Sequence, residues 1–472
     1  MSEWPRDRLL ETSERICNPA AIAGWLETGE GATVEAVREI LLKAAAGRGL
    51  APAEAAVLIQ VSDPRLRQEV LETARQLHRK QYGGRINLMA PVCPNNRCVN
   101  ECLYCPLRRS NSHLQRKMST TRDLQREVLG LLDEGYRHLT LVFGDDRSGL
   151  PYIRDMVWAA HGARTGIRQI QRVDINVNAL RLEELQDLRE ASRLGTYHVY
   201  QDTYDPEVYR ELHPAGPKSD YEKRLTCHDL AAEAGFTNLG LGVLLGLADF
   251  RFEIPALIAH VEHLERTYAV APHAISFPRM IAAPHAPASQ TPERQVSDDD
   301  FCFIVAVTRL ARPRADIILS TPAPSEVRRE LYALGISSVS VGSLSYPGVY
   351  TSDGDPSAAG TLNIGRPRAL ETLVYRMCEV GFVPNFCASC YPVSESPSKP
   401  EQRLARTCTN ERCSANALLA FKEYLLDHAS PETQTLGEQV LQRELARLPE
   451  DVRNLTLDLL EEIEAGMRRP TL

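Results

Sequence analysis

Eight short runs of β-favouring residues, at 86–90, 138–143, 172–177, 196–200, 239–245, 273–277, 317–320 and 338–341, constrain this chain more than any other feature. Helical stretches separate them, with apolar residues at helical spacing over 121–134, 182–192, 221–234, 254–268, 298–310 and 325–334. Such alternation predicts a parallel sheet, because each strand returns through a helical crossover. Eight units of this kind predict a closed (β/α)8 barrel of the α/β class. An open doubly wound sheet is the alternative.

The flanks read differently. Helices are expected over 34–47, 52–60 and 66–81, so residues 1–80 form an N-terminal helical extension to a barrel at 81–351. Beyond it, 385–400 is rich in Ser and Pro and reads as loop, with helices over 415–428 and 436–448. Residues 352–472 are therefore expected to form a C-terminal domain. The 472 residues are 43% hydrophobic and carry a net charge of −8, which fits a globular protein and argues against a general nucleic-acid surface. Residues 1–27 lack an apolar core behind a basic flank, and no stretch has the apolar length of a membrane span. A cytoplasmic protein with neither nucleic acid nor membrane as partner is expected.

The chain has 12 cysteines, eight of them in two groups. In a reducing compartment grouped cysteines are metal ligands or catalytic groups rather than disulfides. Cys17, Cys227, Cys302 and Cys378 stand alone and read as small buried residues. The first group is Cys98-Val-Asn-Glu-Cys102-Leu-Tyr-Cys105, directly after the first strand and so on the barrel's active-site face. Three thiolates can hold three irons of a [4Fe-4S] cubane and leave the fourth open. The amino and carboxylate groups of S-adenosylmethionine (SAM) suit that open iron. A structural zinc site would need a fourth ligand, Cys93 or a remote residue. The second group is Cys387, Cys390 and Cys413, with Cys408 between the last two. Its spacing fits a second iron–sulfur cluster or a four-thiolate zinc site equally.

The segment 98–111 (CVNECLYCPLRRSN) resembles the HydG family, radical SAM tyrosine lyases that mature [FeFe]-hydrogenase, and also the thiamine-pathway lyase ThiH. The second cysteine group, followed by Ser-Ala-Asn-Ala-Leu, is similar to the HydG C-terminal domain. So are 213–218 (HPAGPK), 263–266 (HLER), 272–279 (PHAISFPR) and 327–336 (VRRELYALGI). The resemblance implies that the SAM-derived radical breaks the Cα–Cβ bond of tyrosine and releases p-cresol at one end of the barrel. At the other end, carbon monoxide and cyanide are assembled on an extra "dangler" iron beside an auxiliary [4Fe-4S] cluster. It assigns that cluster to Cys387, Cys390 and Cys413, and the extra iron to His273. It also implies a reductant such as flavodoxin or ferredoxin, and an acceptor or maturation protein.

For SAM binding the resemblance points to Tyr104 near the adenine, to Gly144 and Asp145 at the methionine amino group, and to Asp202 at the ribose. Asp146 is a neighbouring candidate for the amino group. Asn176 or Asn178 would meet ribose or substrate, and Arg224 the SAM carboxylate. The chain departs from the family at Cys105-Pro106-Leu107, at Ser320-Thr321-Pro322 and at Gly342-Ser343-Leu344-Ser345. Pro322 and Leu344 stand where arginines are expected, and proline cannot hold a carboxylate. Arg279 is then the expected partner of a substrate carboxylate and the catalytic-site residue. The readings in play are a HydG-like tyrosine lyase, a lyase acting on a different amino acid, and a non-catalytic iron–sulfur scaffold.

Overall fold

The computed structural model describes residues 4–290, 294–321, 323–341, 346–351, 370–388, 390 and 411–468. Its centre is a closed parallel barrel of eight strands: β1 (Arg85–Asn95), β2 (His138–Phe143), β3 (Arg172–Asn176), β4 (Tyr197–His198), β5 (Leu239–Gly242), β6 (Ala274–Ser276), β7 (Asp316–Leu319) and β8 (Ser338–Ser340). They pair in chain order, and β8 returns to β1 through Asn87↔Ser338, Leu88↔Val339 and Met89↔Ser340. An open sheet is thereby excluded. A ninth strand, β9 (Val383–Asn385), pairs with the start of β1 through Arg85↔Val383 and Asn87↔Asn385. Residues beyond 352 thus contribute a strand to the same sheet.

The strands alternate in a way that decides what the barrel can hold. Leu139, Leu141, Val173, Ile175, Leu241, Ile275 and Ile317 are buried against the helical shell. The other face of the strands turns Thr140, Asn176, His198, Tyr200, Ser320 and Ser340 into a central cavity of about 140 Å³. Barrels filled for stability carry branched apolar residues there; in this lumen the polar groups share the wall with Met89, Val142 and Ile318. The two glycines of β5 make room for it: a Cβ on Gly240 would lie 2.0 Å from His198 Nδ1, and one on Gly242 2.8 Å from the Tyr200 ring.

Most helices fall where expected. Thr121–Asp133 starts at a Thr120/Asp123 capping box, and Ser325–Leu334 matches its expected bounds. The stretch 221–234 breaks into Tyr221–Leu225 and Cys227–Glu233, because Thr226 Oγ1 donates back to the Glu222 carbonyl at 2.8 Å. Helix Gly149–Gly162 and helix Glu450–Glu464 are additional to those read from periodicity. The N-terminal helices pack against the barrel helices Phe250–Tyr268 and Asp298–Ala311, and Glu411–Asp427 packs on β9. Cys17, Cys227, Cys302 and Cys378 are all buried, as small core residues should be. No helix among the described residues is long and apolar enough to cross a membrane.

Candidate active site

The loop after β1 carries Cys98, Cys102 and Cys105 to the mouth formed by the C-terminal ends of the strands. Backbone hydrogen bonds clamp it to the segment after β4: Glu101 N donates to Ala215 O at 2.9 Å and Leu103 N to Leu212 O at 3.0 Å. Gly216 permits this approach; its φ is +97° and a Cβ there would lie 2.5 Å from Asn100 Oδ1. From the other side Arg116 donates to the carbonyls of Asn96, Leu107 and Arg108 at 2.8, 2.8 and 2.6 Å. The thiols feel one another. Burial pushes Cys105 up to about 12, and Cys102 and Cys98 add to the rise. Cys102 is also raised by burial, while Lys218 and Arg224 pull against it.

Beside the thiols lies a buried charged group. Lys218 Nζ is 2.5 Å from Asp202 Oδ2, and Arg224 Nη2 is 3.9 Å from the same oxygen. Burial would raise the Asp202 carboxyl, but Lys218 and Arg224 bring it below its ordinary value. Lys218 Nζ also donates to Tyr104 Oη at 3.1 Å. His213 Nδ1 faces the Tyr209 carbonyl at 2.7 Å, so that nitrogen carries the proton and Nε2 accepts from Tyr104 Oη at 2.8 Å. Burial, reinforced by Lys218, lowers His213 to about 3 and keeps it neutral. Arg224 donates to the Tyr200 carbonyl at 2.8 and 2.6 Å and to Asn178 Oδ1 at 2.7 Å. Asn178 and Asn100 each donate to Asp145 Oδ2 at 2.7 Å.

The opposite end of the barrel is also charged, with side chains from the strands themselves. Arg172 donates twice to Asp174 at 2.8 Å, and His138 Nε2 lies 2.8 Å from Asp174 Oδ2. Burial would raise Asp174, but Arg172 and His138 hold it well below the carboxylate range. Asp316 accepts from the hydroxyls of Ser337 and Ser338 at 2.7 and 2.6 Å. His273 immediately precedes β6 and is buried, and its Nε2 has no hydrogen-bond partner among the described residues. Burial and Arg172 lower it to about 4. From this layer Ser338 connects through Asn87 to Asn385, whose Oδ1 accepts the backbone N–H of Cys387 at 2.9 Å.

Comparison with known proteins decides the family. The Radical SAM superfamily matches residues 92–253, and the Biotin and Thiamin Synthesis associated domain matches residues 276–383. The 2-iminoacetate synthase of Salmonella typhimurium is 30% identical over 291 residues, 61% of this chain and 74% of that one. This chain belongs to the radical SAM family of HydG and 2-iminoacetate synthase. A crystal structure of HydG, a maturase of the [FeFe]-hydrogenase, superposes with a TM-score of 0.89 at 35% identity, covering 97% of this chain and 99% of that one. HydG from Carboxydothermus hydrogenoformans gives 0.80 at 29% identity, covering 97% and 100%. This radical SAM protein is accordingly a lyase of that family, and a [4Fe-4S] cluster with SAM is its implied cofactor pair.

The donor set fits that pair. Three thiols share one short loop, they act on one another, and Lys218 and Arg224 lie near enough to offset thiolate charge at Cys102. Among the described residues no three His, Cys, Asp or Glu side chains are already closed into a metal-gripping arrangement at either end.

The expected radical SAM residues divide when placed. Tyr104, Asp145, Asp202 and Arg224 gather at the mouth, and Arg224 is buried rather than a surface ion-pairing residue. Gly144 lets the β2 loop pass the cysteine loop, since a Cβ there would lie 2.2 Å from Arg97 O. Of the two asparagines, Asn178 joins this group while Asn176 lines the lumen. Asp146 is occupied with Ser148, whose N–H it accepts at 3.0 Å. Arg279 is not brought into the lumen: its guanidinium donates to Asp298 Oδ1 at 2.7 Å and lies over the Phe301 ring, turned toward the helical shell. Cys390 and Cys413 are half-buried like Cys387; Cys408, Pro322 and Leu344 lie outside the described residues. The residues missed by sequence reasoning are Lys218, Asn100 and His213. The segment 213–218 signalled two of them as a family stretch, without showing that Lys218 reaches both Asp202 and Tyr104.

Proposed function

We propose that this chain cleaves the Cα–Cβ bond of tyrosine, releasing p-cresol, and assembles carbon monoxide and cyanide on an iron held at the far end of the barrel. The observation that carries this reading is His273. A buried imidazole with an open Nε2 costs stability unless something binds it, and it stands at the opposite end from the thiol loop, in the layer that leads to Cys387. Imidazole nitrogen suits iron. Cys387, Cys390 and Cys413 would hold the auxiliary [4Fe-4S] cluster there. Relatives named 2-iminoacetate synthase and HydG support both halves of the reading.

Cys98, Cys102 and Cys105 would hold the cluster that, together with SAM, would supply the radical chemistry for hydrogen abstraction from the substrate. The chain's own groups bind and orient. Asp202 accepts from ribose hydroxyls, Asp145 meets the methionine amino group, Arg224 the carboxylate, and Tyr104 packs beside the adenine. Asn176, His198 and Tyr200 line the lumen and are placed to hold a substrate. A reduced intracellular setting with a flavodoxin- or ferredoxin-type donor and an acceptor for the product suits this chemistry.

A second reading, a lyase for a different amino acid, is favoured by one observation: the described lining of the lumen contains neither lysine nor arginine, and Arg279 is committed to Asp298. The deciding experiment is an anaerobic turnover of the reconstituted protein with SAM, reductant and tyrosine, assayed for p-cresol, cyanide and carbon monoxide. If tyrosine neither stimulates SAM cleavage nor yields p-cresol, the tyrosine assignment fails and the other amino acids are tested in turn.

A further inference from the structure

The loop carrying Cys98, Cys102 and Cys105 is strongly basic in an acidic chain. Residues 95–122 hold six cations, Arg97, Arg108, Arg109, Arg116, Lys117 and Arg122, against the single carboxylate Glu101, while the whole chain carries −8. Two of the six act inside the loop: Arg116 binds its carbonyls, and Arg108 lies 3.7 Å from Glu101. Arg97 and Arg109 are exposed, and their guanidiniums have no ion-pair partner among the described residues. Arg147 joins them from the loop after β2, because Val99 N donates to Asp145 O at 2.7 Å and holds that loop beside Cys98. It too is exposed and unpaired among the described residues. The nearby carboxylates are otherwise engaged: Glu101 accepts from Ser110 N at 3.0 Å, Asp146 from Ser148, and Asp145 from two asparagines. Of the three thiols Cys98 and Cys105 are half-buried and Cys102 is buried, and Arg97 directly precedes Cys98 in the chain.

We propose that Arg97, Arg109 and Arg147 form the docking surface for an acidic protein that delivers single electrons to the group held by the three thiolates. The proposal rests on the radical SAM reading of that loop. In the step one electron leaves the donor, which is oxidised, and enters the thiolate-held group, which is reduced; no bond is made or broken. Redox partners meet through small, short-lived interfaces in which charge sets orientation and association rate. Unpaired guanidiniums suit carboxylates as partners, since their planar fork matches them.

The test uses the full-length protein, anaerobically loaded with iron and sulfide, and the variant R97Q/R109Q/R147Q. With reduced flavodoxin at low ionic strength, SAM cleavage by the variant should fall about tenfold, and the steep loss with added salt shown by the parent should largely vanish. With dithionite, a small reductant that needs no docking surface, both proteins should cleave SAM at the same rate within about twofold. Calorimetry with oxidised flavodoxin, which involves no turnover, should show about tenfold weaker binding to the variant. The triple Arg→Lys variant should recover most of the binding, because the charges remain. Equal loss with both reductants, or an unchanged affinity for flavodoxin, would overturn the proposal. So would a single-stranded RNA that binds the parent as tightly as flavodoxin and loses affinity in the same variant, which would make the three arginines a general polyanion surface. A parent that cleaves no SAM even with dithionite would refute the reading of the thiol loop instead, while the calorimetry would still decide the docking surface.

Discussion

The two ends of the barrel hold charge by different means. At the cysteine mouth the charged groups come from loops and crossovers: Asp145 and Asp202 follow strands, and Lys218 and Arg224 lie beyond β4. At the base Arg172, Asp174 and Asp316 belong to strands, and His273 immediately precedes one. A strand side chain is placed by the hydrogen-bond ladder and has little freedom to adapt; a loop side chain can move as a ligand arrives. The base therefore resembles a fixed frame in which His273 Nε2 has no hydrogen-bond partner among the described residues, whereas the mouth is a set of ion pairs that a charged cofactor can enter and rearrange. If so, substitutions at the base should register first in stability or metal content, and those at the mouth in SAM chemistry.

The sharpest contrast comes from the thiols. Replacing Cys98, Cys102 and Cys105 together by alanine should abolish SAM cleavage and lower bound iron from about eight or nine per chain to about four or five, leaving the second site loaded. Iron analysis and a 5′-deoxyadenosine assay read both. Zinc in place of iron at the C-terminal site would break the comparison.

Next in size, Asp174→Ala leaves Arg172 buried without its anion and should cost about 3–5 kcal/mol in a denaturant titration. The counterpart at the mouth, Asp202→Ala, takes the carboxylate from Lys218 but leaves it the Tyr104 hydroxyl, and leaves Arg224 the Tyr200 carbonyl and Asn178, so it should cost less stability. It should instead weaken SAM binding about tenfold, the loss of about 1.4 kcal/mol in equilibrium dialysis. Equal stability losses would erase the distinction between frame and adaptable mouth.

A pH effect sharpens the picture of the wall behind Asp202. Burial raises Glu253 from the ordinary 4.5 to about 7, although Thr203 Oγ1 and Tyr204 N donate to it at 2.5 and 2.9 Å. The folded state binds this proton more tightly than the unfolded chain. Its contribution to stability is full below about 4.5 and is lost as pH rises through about 7. Glu253→Gln should flatten stability between those values in thermal melts at stepped pH; an unaltered slope would assign it to another group.

The smallest expected change in SAM chemistry belongs to the base. His273→Ala should leave SAM cleavage within about twofold, because only binding at the far site is touched, while bound iron falls by about one per chain. Lost SAM cleavage in a well-folded variant would place His273 in the wrong half of the comparison.

By itself the sequence determined the alternation of strands and helices, hence a parallel α/β architecture, and the three-cysteine loop behind the first strand. Both are short-range properties: side-chain periodicity sets an element's type, and a ligand loop is recognisable by spacing within eight residues. Only the tertiary structure decided the rest. Barrel closure needed β8 to reach β1, and β9 joined the same strand from almost 300 residues away. Lys218 met Tyr104 across 114 positions, Asn178 rather than Asn176 bridged Asp145 and Arg224, and Arg279 turned to Asp298 instead of the lumen. Periodicity cannot foresee these choices. They depend on where crossovers return the chain and on which buried charge is nearest once the barrel has closed, when leaving any charge unpaired is most costly.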